Sequence, residues 1–232
     1  MLILGIESST VQVGCAIGGH EGVISSAHLA KGKRHAESLM PQVEFVCAQA
    51  GVSMTELSLI AVDTGPGLYT GLRVGMASAK AMAQALKVPM IGVSSLDLLA
   101  FPMRYSNRLI VAAVDARRGE VFSAFYRAVP GGVQRERGPS VGSPDDLASE
   151  LLTMKQDCLL VGDGAHRYHE HFAGLKRVEL VEQGQAHPTA TALVQLAHAQ
   201  ALREEWVSPG DITPIYLRKP DAEINWQTRV GS

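Results

Sequence analysis

Residues 3–7 read Ile-Leu-Gly-Ile-Glu, and residues 111–115 read Val-Ala-Ala-Val-Asp. In each stretch an apolar strand ends in an acidic residue, and a second strand follows after a tight turn. Each stretch therefore predicts a β-hairpin. The second hairpin lies where a second domain of this chain would begin. Together the two stretches predict an internal repeat and an α/β fold of two related lobes.

The elements predicted around these hairpins alternate between strands and helices. In the first half they are strands over 2–6, 11–17, 23–29, 58–63 and 88–93, a helix over 35–50 kinked or restarted at Pro41, a capped turn over 53–57, a glycine-rich loop over 64–71, a helix from there to about 86, and a short helix over 95–101. In the second half they are strands over 109–114, 120–126 and 158–161, a helix over about 189–206 and an extended tail from Gly210. A basic loop is predicted over 31–34.

Composition limits the classes of function. The chain has 232 residues, 46% hydrophobic and 19% charged, which is typical of a globular protein with a real core and excludes a disordered one. Its 21 basic and 23 acidic side chains give a net charge of -2, which disfavours a wide nucleic-acid surface but leaves room for a local patch. Only 5% of the residues are aromatic, so we expect tightly packed helices and turns rather than a base-stacking surface.

Cysteine usage and the chain start bear on location. Cys15, Cys47 and Cys158 are widely spaced and form no disulfide framework, which is typical of a reducing cytoplasm. The first residues lack the basic segment of a signal peptide. No apolar run reaches the ~18 residues of a membrane span, so no membrane association is predicted.

Two loops could hold a phosphate group. The first is the hydroxyl-rich turn after residue 7, and the second is the glycine-rich loop that leads into a helix and would expose backbone N–H groups. The second loop is not a GxGxxG motif and lacks the lysine of a P-loop. The residues of this candidate nucleotide site are Glu7, Ser9, Thr10, Gly65, Gly67 and Gly71. The alternative is that the glycines only permit a tight turn and close packing.

The helix after the glycine loop carries small residues every four positions, at Gly71, Gly75, Ala79 and Ala83. Such a stripe lets another helix approach closely. The other helix could belong to the same chain or to a partner protein. Ala77, Ala81 and Ala85 add a second small-residue face.

Two further groups of polar residues could carry chemistry. His166, His169 and His171 could approach a metal ion, but no acidic residue or cysteine at convincing spacing joins them, so a solvated turn is favoured. In residues 115–120 an aspartate is followed by two arginines, which fits either a catalytic acid or a charged hairpin turn. No pair of nucleophile and base can be argued anywhere in the chain.

Five segments resemble one known family, the TsaB (YeaZ) proteins of bacterial tRNA threonylcarbamoyladenosine synthesis. They are residues 3–10, 62–75, 89–96, 114–121 and 214–218. The resemblance runs nearly end to end. The glycine block alone is shared with the wider actin-like ATPase group, whereas all five segments in this order are specific.

This resemblance implies a two-lobed actin-like (ASKHA, RNase H-like) fold with a reduced second lobe. The expected division is an N-terminal lobe over 1–106, with the partner-binding helices, and a smaller C-terminal lobe with a tail over 107–232. It also implies a cytoplasmic protein that pairs with TsaD, a related catalytic chain, and with TsaE, a small ATPase. TsaD modifies the adenosine 3′ of the anticodon in tRNAs that read ANN codons. tRNA would be met only through the complex, and no cofactor is expected except ATP or ADP at the partner interface.

The catalytic relative binds a metal through a His-x-x-x-His pair whose positions here are Ser95 and Leu99. Leucine cannot bind a metal and serine is a poor ligand, so no metal is expected. The resemblance therefore implies a non-catalytic scaffold subunit. A stand-alone actin-like ATPase or small-molecule kinase is the alternative. A metallopeptidase, the historical grouping of the family, is disfavoured because its ligand positions are lost.

The resemblance also implies that the helices over 35–50 and 70–86 pack against matching helices of the partner. The expected interface residues are His35, Leu39, Met40, Val43, Cys47, Leu72, Gly75, Met76, Ala79 and Ala83. Without the partner, the same apolar surface would favour a homodimer.

Overall fold

The computed structural model describes residues 1–30 and 35–218. The first sheet is formed by β1 (Leu2–Glu7), β2 (Val13–Gly19), β3 (Gly22–Leu29), β4 (Leu59–Gly65) and β5 (Met90–Ser94). The second sheet is formed by β6 (Leu109–Arg117), β7 (Glu120–Val129), β8 (Gly132–Gly142), β9 (Cys158–Val161) and β10 (Val178–Leu180). The helices are α1 (His35–Ala50), α2 (Tyr69–Leu86), α3 (Ser95–Ala100), α4 (Pro144–Met154), α5 (Asp163–Arg167), α6 (His169–Phe172) and α7 (Ala190–Ala201). The predicted loop at 31–34 lies outside the described residues.

Both sheets have the same topology. The strand order is β3-β2-β1-β4-β5 in the first sheet and β8-β7-β6-β9-β10 in the second. In each sheet the first three strands form an antiparallel meander, and the last two run parallel to its first strand. The predicted internal repeat is confirmed, and β1 corresponds to β6 as β4 does to β9. The second sheet has as many strands as the first among the residues described.

The side chains of the central strands alternate between two apolar layers, as the period of two in a strand requires. Leu4 and Ile6 of β1 face α1 and α2, whereas Ile3 faces α7. Helix α7 therefore packs on the first sheet although it follows the second in the chain. The predicted boundary near residue 106 stays a prediction.

Helix α3 joins the two lobes. Its Leu98 packs in the layer shared with α7, and its Leu96 and Leu99 pack against the second sheet. The remaining face of the second sheet is covered by α4, α5 and α6. Because both lobes bury apolar surface on one short helix, the relative position of their strand ends depends on α3.

The structure differs from the predicted elements in three places. Helix α1 runs through Pro41 as a single helix. The last helix ends at Ala201 rather than near 206, since Leu202 is 68% exposed and Glu204 has a left-handed φ of 59°. Elements β8, α4, α5, α6 and β10 were not predicted, and α5 and α6 lie where a turn with the three histidines was expected. The capped turn is confirmed, because Ser53 and Glu56 form a capping box.

Candidate functional site

The acidic residues at the ends of β1 and β4 lie together inside the first lobe. β1 and β4 are parallel neighbours, so Glu7 and Asp63 lie at the same edge of the sheet. Their side chains are 0% and 1% exposed. The backbone N–H and hydroxyl of Ser9 donate to Glu7 Oε1, both at 2.7 Å. The backbone N–H of Gly65 and the hydroxyl of Ser95 donate to Asp63 Oδ1, also at 2.7 Å.

The second oxygens of these carboxyls, Glu7 Oε2 and Asp63 Oδ2, find no N–H or O–H donor in the described part of the chain. The two carboxyls are within hydrogen-bonding reach of one another. Burial, and then the charge of Asp63, raises the pKa of Glu7 well above its ordinary value. Burial raises the pKa of Asp63 to about 6. Two buried carboxylates close to one another resist double ionisation, and both pKa shifts favour a pair that carries a proton.

The glycine-rich loop packs directly on the turn that follows β1. A Cβ added at Gly67 would lie 2.2 Å from the Ser9 carbonyl oxygen, and one at Gly71 would lie 2.2 Å from that of Ser8. The Ser8 hydroxyl donates to the Gly71 carbonyl (2.9 Å), and the Leu68 N–H donates to the Ser9 carbonyl (2.6 Å). The glycines here permit close packing of the two loops.

The structure brings the six predicted nucleotide-site residues together. Glu7, Ser9, Thr10, Gly65 and Gly71 are buried, whereas Gly67 lies at the edge of an open cleft. Nucleotide binding by these residues stays a prediction.

The predicted interface residues lie almost entirely inside the chain. Nine of the ten are buried, and Met40 is 42% exposed. His35 also donates from Nε2 to the Thr10 carbonyl oxygen (2.8 Å). The partner interface itself stays a prediction. The outward side chains of these helices, which a partner would meet, include Met40, Phe45 (52% exposed), Ala77, Ala81 and Ala85.

A cleft of about 550 Å³ separates the start of α2 from the β6–β7 turn of the second lobe. We call it the interlobe cleft. Its walls are formed by Gly67, Leu68, Tyr69, Thr70, Arg73, Asp115, Ala116, Arg117, Arg118, Phe122, Ile215, Tyr216, Leu217 and Arg218. A second cavity of about 580 Å³ shares Asp115 and Arg117 and reaches Asp163, His166 and His187.

The acidic residues at the strand ends of the second lobe are stabilised by cations and N–H groups. The Asp115 N–H donates to Asp163 Oδ1 (3.0 Å). The Arg117 N–H donates to Asp115 Oδ1 (2.9 Å), and the guanidinium groups of Arg117 and Arg167 lie 3.0 and 3.4 Å from Asp115 Oδ2. Burial raises the pKa of Asp163, and burial lowers the pKa of His187 against the opposing effect of Asp163.

The histidines of residues 166–171 point to different places. His171 Nδ1 donates to Asp145 (2.6 Å), and His169 Nδ1 donates to the His166 carbonyl (3.2 Å). Only His166 and His169 line the second cavity. Within residues 1–30 and 35–218, no group of three or more His, Cys, Asp or Glu could hold a metal ion. Likewise, no helix in these ranges is long and apolar enough to cross a membrane.

The two positions that the resemblance aligns with the metal-binding histidines, Ser95 and Leu99, are both buried in this chain. The Ser95 hydroxyl is 0% exposed and donates to Asp63. Leu99 is 1% exposed in the apolar layer between α3 and the second sheet. The nearby Asp97 accepts hydrogen bonds from Tyr126 (2.8 Å) and Arg135 (2.6 Å). The donor set at this place therefore does not fit a metal ion.

Sequence reasoning singled out the 115–120 turn and the histidines, and the structure joins them in the second cavity. It missed Asp163, His187 and Tyr216. Asp163 could have been found from the sequence, because it lies close to the end of an apolar strand, β9, as Asp63 lies close to the end of β4. No local signal marked His187 or Tyr216, since long-range packing brings them to the site.

Two copies of one five-stranded sheet, with Asp115 of the second copy at the wall of an interlobe cleft, define an actin-like α/β protein. The family model for TsaD, tRNA N6-adenosine threonylcarbamoyltransferase, matches residues 25–226, and the chain belongs to this family. Within it the similarity is to TsaB/YeaZ proteins, as the sequence resemblance implied. The tRNA threonylcarbamoyladenosine biosynthesis protein TsaB of Escherichia coli is 27% identical, over 100% of this chain and 99% of that protein.

The crystal structure of YeaZ from Pseudomonas aeruginosa superposes with a TM-score of 0.81 at 27% identity, covering 93% of this chain and 99% of that one. An uncharacterized protein of Mycobacterium leprae is 36% identical over 96% of this chain. The chain spans only 56% of that relative's length. These similarities confirm the predicted fold class.

Proposed function

We propose that this chain acts in tRNA threonylcarbamoyladenosine biosynthesis as a non-catalytic subunit that pairs with a TsaD-type catalytic chain. The observation that carries the proposal is the closely packed site of the first lobe. Loops 8–10 and 65–71 pack tightly on one another, burial raises the pKa values of Glu7 and Asp63, and Ser95 and Leu99 are buried. Family membership and the similarity to TsaB support the pathway.

The outward faces of α1 and α2 are the proposed contact with the partner. Met40 and Phe45 are 42% and 52% exposed and offer apolar surface on α1 to a partner. The exposed small residues Ala77 and Ala81 of α2 would let a partner helix approach closely. In the absence of the partner, the same surface would form a homodimer. A TsaE-type ATPase as third component and a cytoplasmic location complete the proposal.

The test is a reconstituted threonylcarbamoylation assay with the TsaD-type chain, the TsaE-type ATPase and the adenylate-forming enzyme, with and without this chain. We expect modification to require the chain, and the chain alone to hydrolyse no Mg-ATP. If tRNA modification proceeds unchanged without the chain, the proposal is wrong. Measurable ATP hydrolysis by the chain alone would favour the stand-alone ATPase or kinase.

A substitution on the outward surface tests the pairing. Phe45→Arg should weaken the heterodimer at least tenfold in analytical ultracentrifugation without lowering the melting temperature. The matched control is Leu152→Arg, because Leu152 is a 66% exposed leucine on α4 of the other lobe. Ala79→Arg and Gly75→Trp are unsuitable, since both positions are buried and the variants would disrupt the core. Equal affinity of Phe45→Arg and wild type would place the interface elsewhere.

A further inference from the structure

Two tyrosines and an arginine form one wall of the interlobe cleft. Tyr69 and Tyr216 are 41% and 44% exposed, and their ring centroids lie 5.3 Å apart with an interplanar angle of 39°. Arg73 donates from Nη1 to the Tyr69 hydroxyl (2.7 Å) while its guanidinium lies 5.2 Å from the ring centroid. Two of the chain's five tyrosines are thus gathered at one opening, although the composition predicted no base-stacking surface.

The position of Tyr216 is fixed by the segment that carries it. The Ile215 N–H donates to the Thr64 carbonyl oxygen at the end of β4 (2.7 Å), and Ile212 is buried in the first core. The aromatic wall is therefore anchored on both sides, with Tyr69 at the start of α2 and Tyr216 beside β4. A preformed aromatic surface loses little entropy when a flat ring packs on it.

The opposite wall presents arginines on a tight turn. Arg117 and Arg118 have left-handed φ values of 63° and 58°, and Gly119 follows with 77°. Successive positive φ values are typical of the tight turn that joins two hairpin strands, here β6 and β7. Arg218 also faces the cleft and pairs with Glu120 (2.8 Å).

The cleft is basic although the whole chain is not. Its described walls carry four arginines, which are Arg73, Arg117, Arg118 and Arg218. The acidic groups beside them are Asp115, which also lines the cleft, and Glu120, which pairs with Arg218. The chain as a whole has a net charge of -2. In addition, α2 begins at the cleft without a side-chain cap, because Leu68 stands at its N-cap position, so its first N–H groups add partial positive charge.

We propose that the interlobe cleft binds an unstacked nucleotide of a single RNA strand. The base stacks on the tyrosine wall and the flanking phosphates contact Arg73 and the turn arginines, the combination by which proteins hold single strands. A strand fits better than a free nucleotide, because the arginines come from three separate segments on facing walls of the cleft. The inference rests on the proposed function, in which tRNA is the substrate of the complex.

Fluorescence anisotropy with the full chain tests this directly, using a fluorescein-labelled single-stranded RNA of about ten nucleotides. We expect salt-dependent binding that Tyr216→Ala weakens about tenfold and Tyr216→Phe preserves. Arg73→Ala should weaken binding and flatten its dependence on salt by about one released ion. The matched control Tyr105→Ala removes an 83% exposed tyrosine that also carries an arginine against its ring, and it should bind as wild type.

Several outcomes would overturn the inference. They are an absence of binding, equal binding by Tyr216→Ala and wild type, and competition by AMP or duplex RNA as effective as that by the unlabelled strand. Competition by AMP would identify a mononucleotide site instead. Thermal melting of each variant confirms that the fold is retained.

The reconstituted assay separates this inference from the proposed function. Tyr216→Ala and Arg73→Ala should raise the KM for tRNA about tenfold with kcat unchanged and heterodimer affinity unaltered. If modification does not need the chain at all, the proposed function fails. If modification needs the chain but both variants show the wild-type KM, only the RNA contact fails.

Discussion

The two lobes share one topology and carry acidic residues near the ends of corresponding strands, but the surroundings of these residues differ. Glu7, Asp63 and Asp115 lie near the carboxyl ends of β1, β4 and β6, and Asp163 comes two residues after the end of β9. In the first lobe the acids are buried, face no described cation and have raised pKa values. In the second lobe Asp115 forms ion pairs with Arg117 and Arg167 at the wall of the second cavity.

The difference lies in what covers the strand ends. In the first lobe the long helix α2 reaches the turn after β1, since glycines at 67, 71 and 75 leave no side chain between them. In the second lobe the corresponding helix α5 has five residues and leaves the acids at a cavity wall. One scaffold thus gives a closed site with two carboxyls side by side and a site at a cavity wall in which the carboxylate pairs with arginines. Three substitutions test this comparison.

Opening the sealed site should have the largest effect. In Gly71→Ala the new methyl would lie 2.2 Å from the Ser8 carbonyl oxygen, a backbone atom that cannot move alone. We expect a loss of about 3 kcal/mol in the free energy of unfolding, measured by urea denaturation. The control Gly138→Ala meets no atom within 4 Å and should change stability by less than about 0.5 kcal/mol. Equal stabilities of the two variants would contradict the close packing of these loops.

Neutralising the Glu7–Asp63 pair should have an effect that depends on pH. Because burial raises the pKa of Asp63 to about 6 and that of Glu7 well above its ordinary value, the folded chain retains a proton that the unfolded chain releases. The pair's contribution to stability is therefore present below about pH 4 and is lost as pH rises through about 6 and beyond.

Glu7→Gln mimics the protonated carboxyl, since its amide can donate to Asp63 Oδ2. Relative to wild type it should gain about 1–3 kcal/mol between pH 4 and pH 8, measured by denaturation at each pH. Glu44→Gln, on the exposed side of α1, should follow the wild-type profile. A Glu7→Gln profile parallel to wild type would show that the pair holds no extra proton.

Neutralising the matching acid of the second lobe should have the smallest effect and the opposite sign. Asp115→Asn keeps the side-chain oxygen but loses the charge that holds Arg117 and Arg167, whose side chains are 42% and 54% exposed. At pH 8 we expect a loss of about 0.5–1 kcal/mol that shrinks as salt is added. A gain in stability, as for Glu7→Gln, would mean that the two lobes do not differ in this respect.

Most elements of the fold could be predicted from local patterns. Strands β1 and β6 are apolar and end in acids, and α2 follows a glycine loop. Strand β8 could not be found this way, because its sequence Gly-Val-Gln-Arg-Glu-Arg-Gly is polar and only its pairing with β7 holds it extended. Helix α4 did carry a signal, an N-cap Ser143 followed by Pro144 and apolar Leu147 and Leu151.

The candidate site was predicted only in its parts. The stripe at Gly71, Gly75, Ala79 and Ala83 fitted either a partner helix or the chain's own core, and the structure places it in the core. The spacing alone could not decide this, because both arrangements require the same small residues. The interlobe cleft was not predicted, since its two tyrosines are separated by about two thirds of the chain.

The sequence by itself determined the repeated hairpin, the order of strands and helices, and family membership, because these depend on local apolar period, turn residues and motif order. Only the tertiary structure decided which of the acidic strand ends is sealed and which is open. Glu7 and Asp115 occupy equivalent places in the sequence pattern. Burial beside Asp63 raises the pKa of Glu7, whereas Asp115 pairs with Arg117 and Arg167, and the fold brings all of these contacts together.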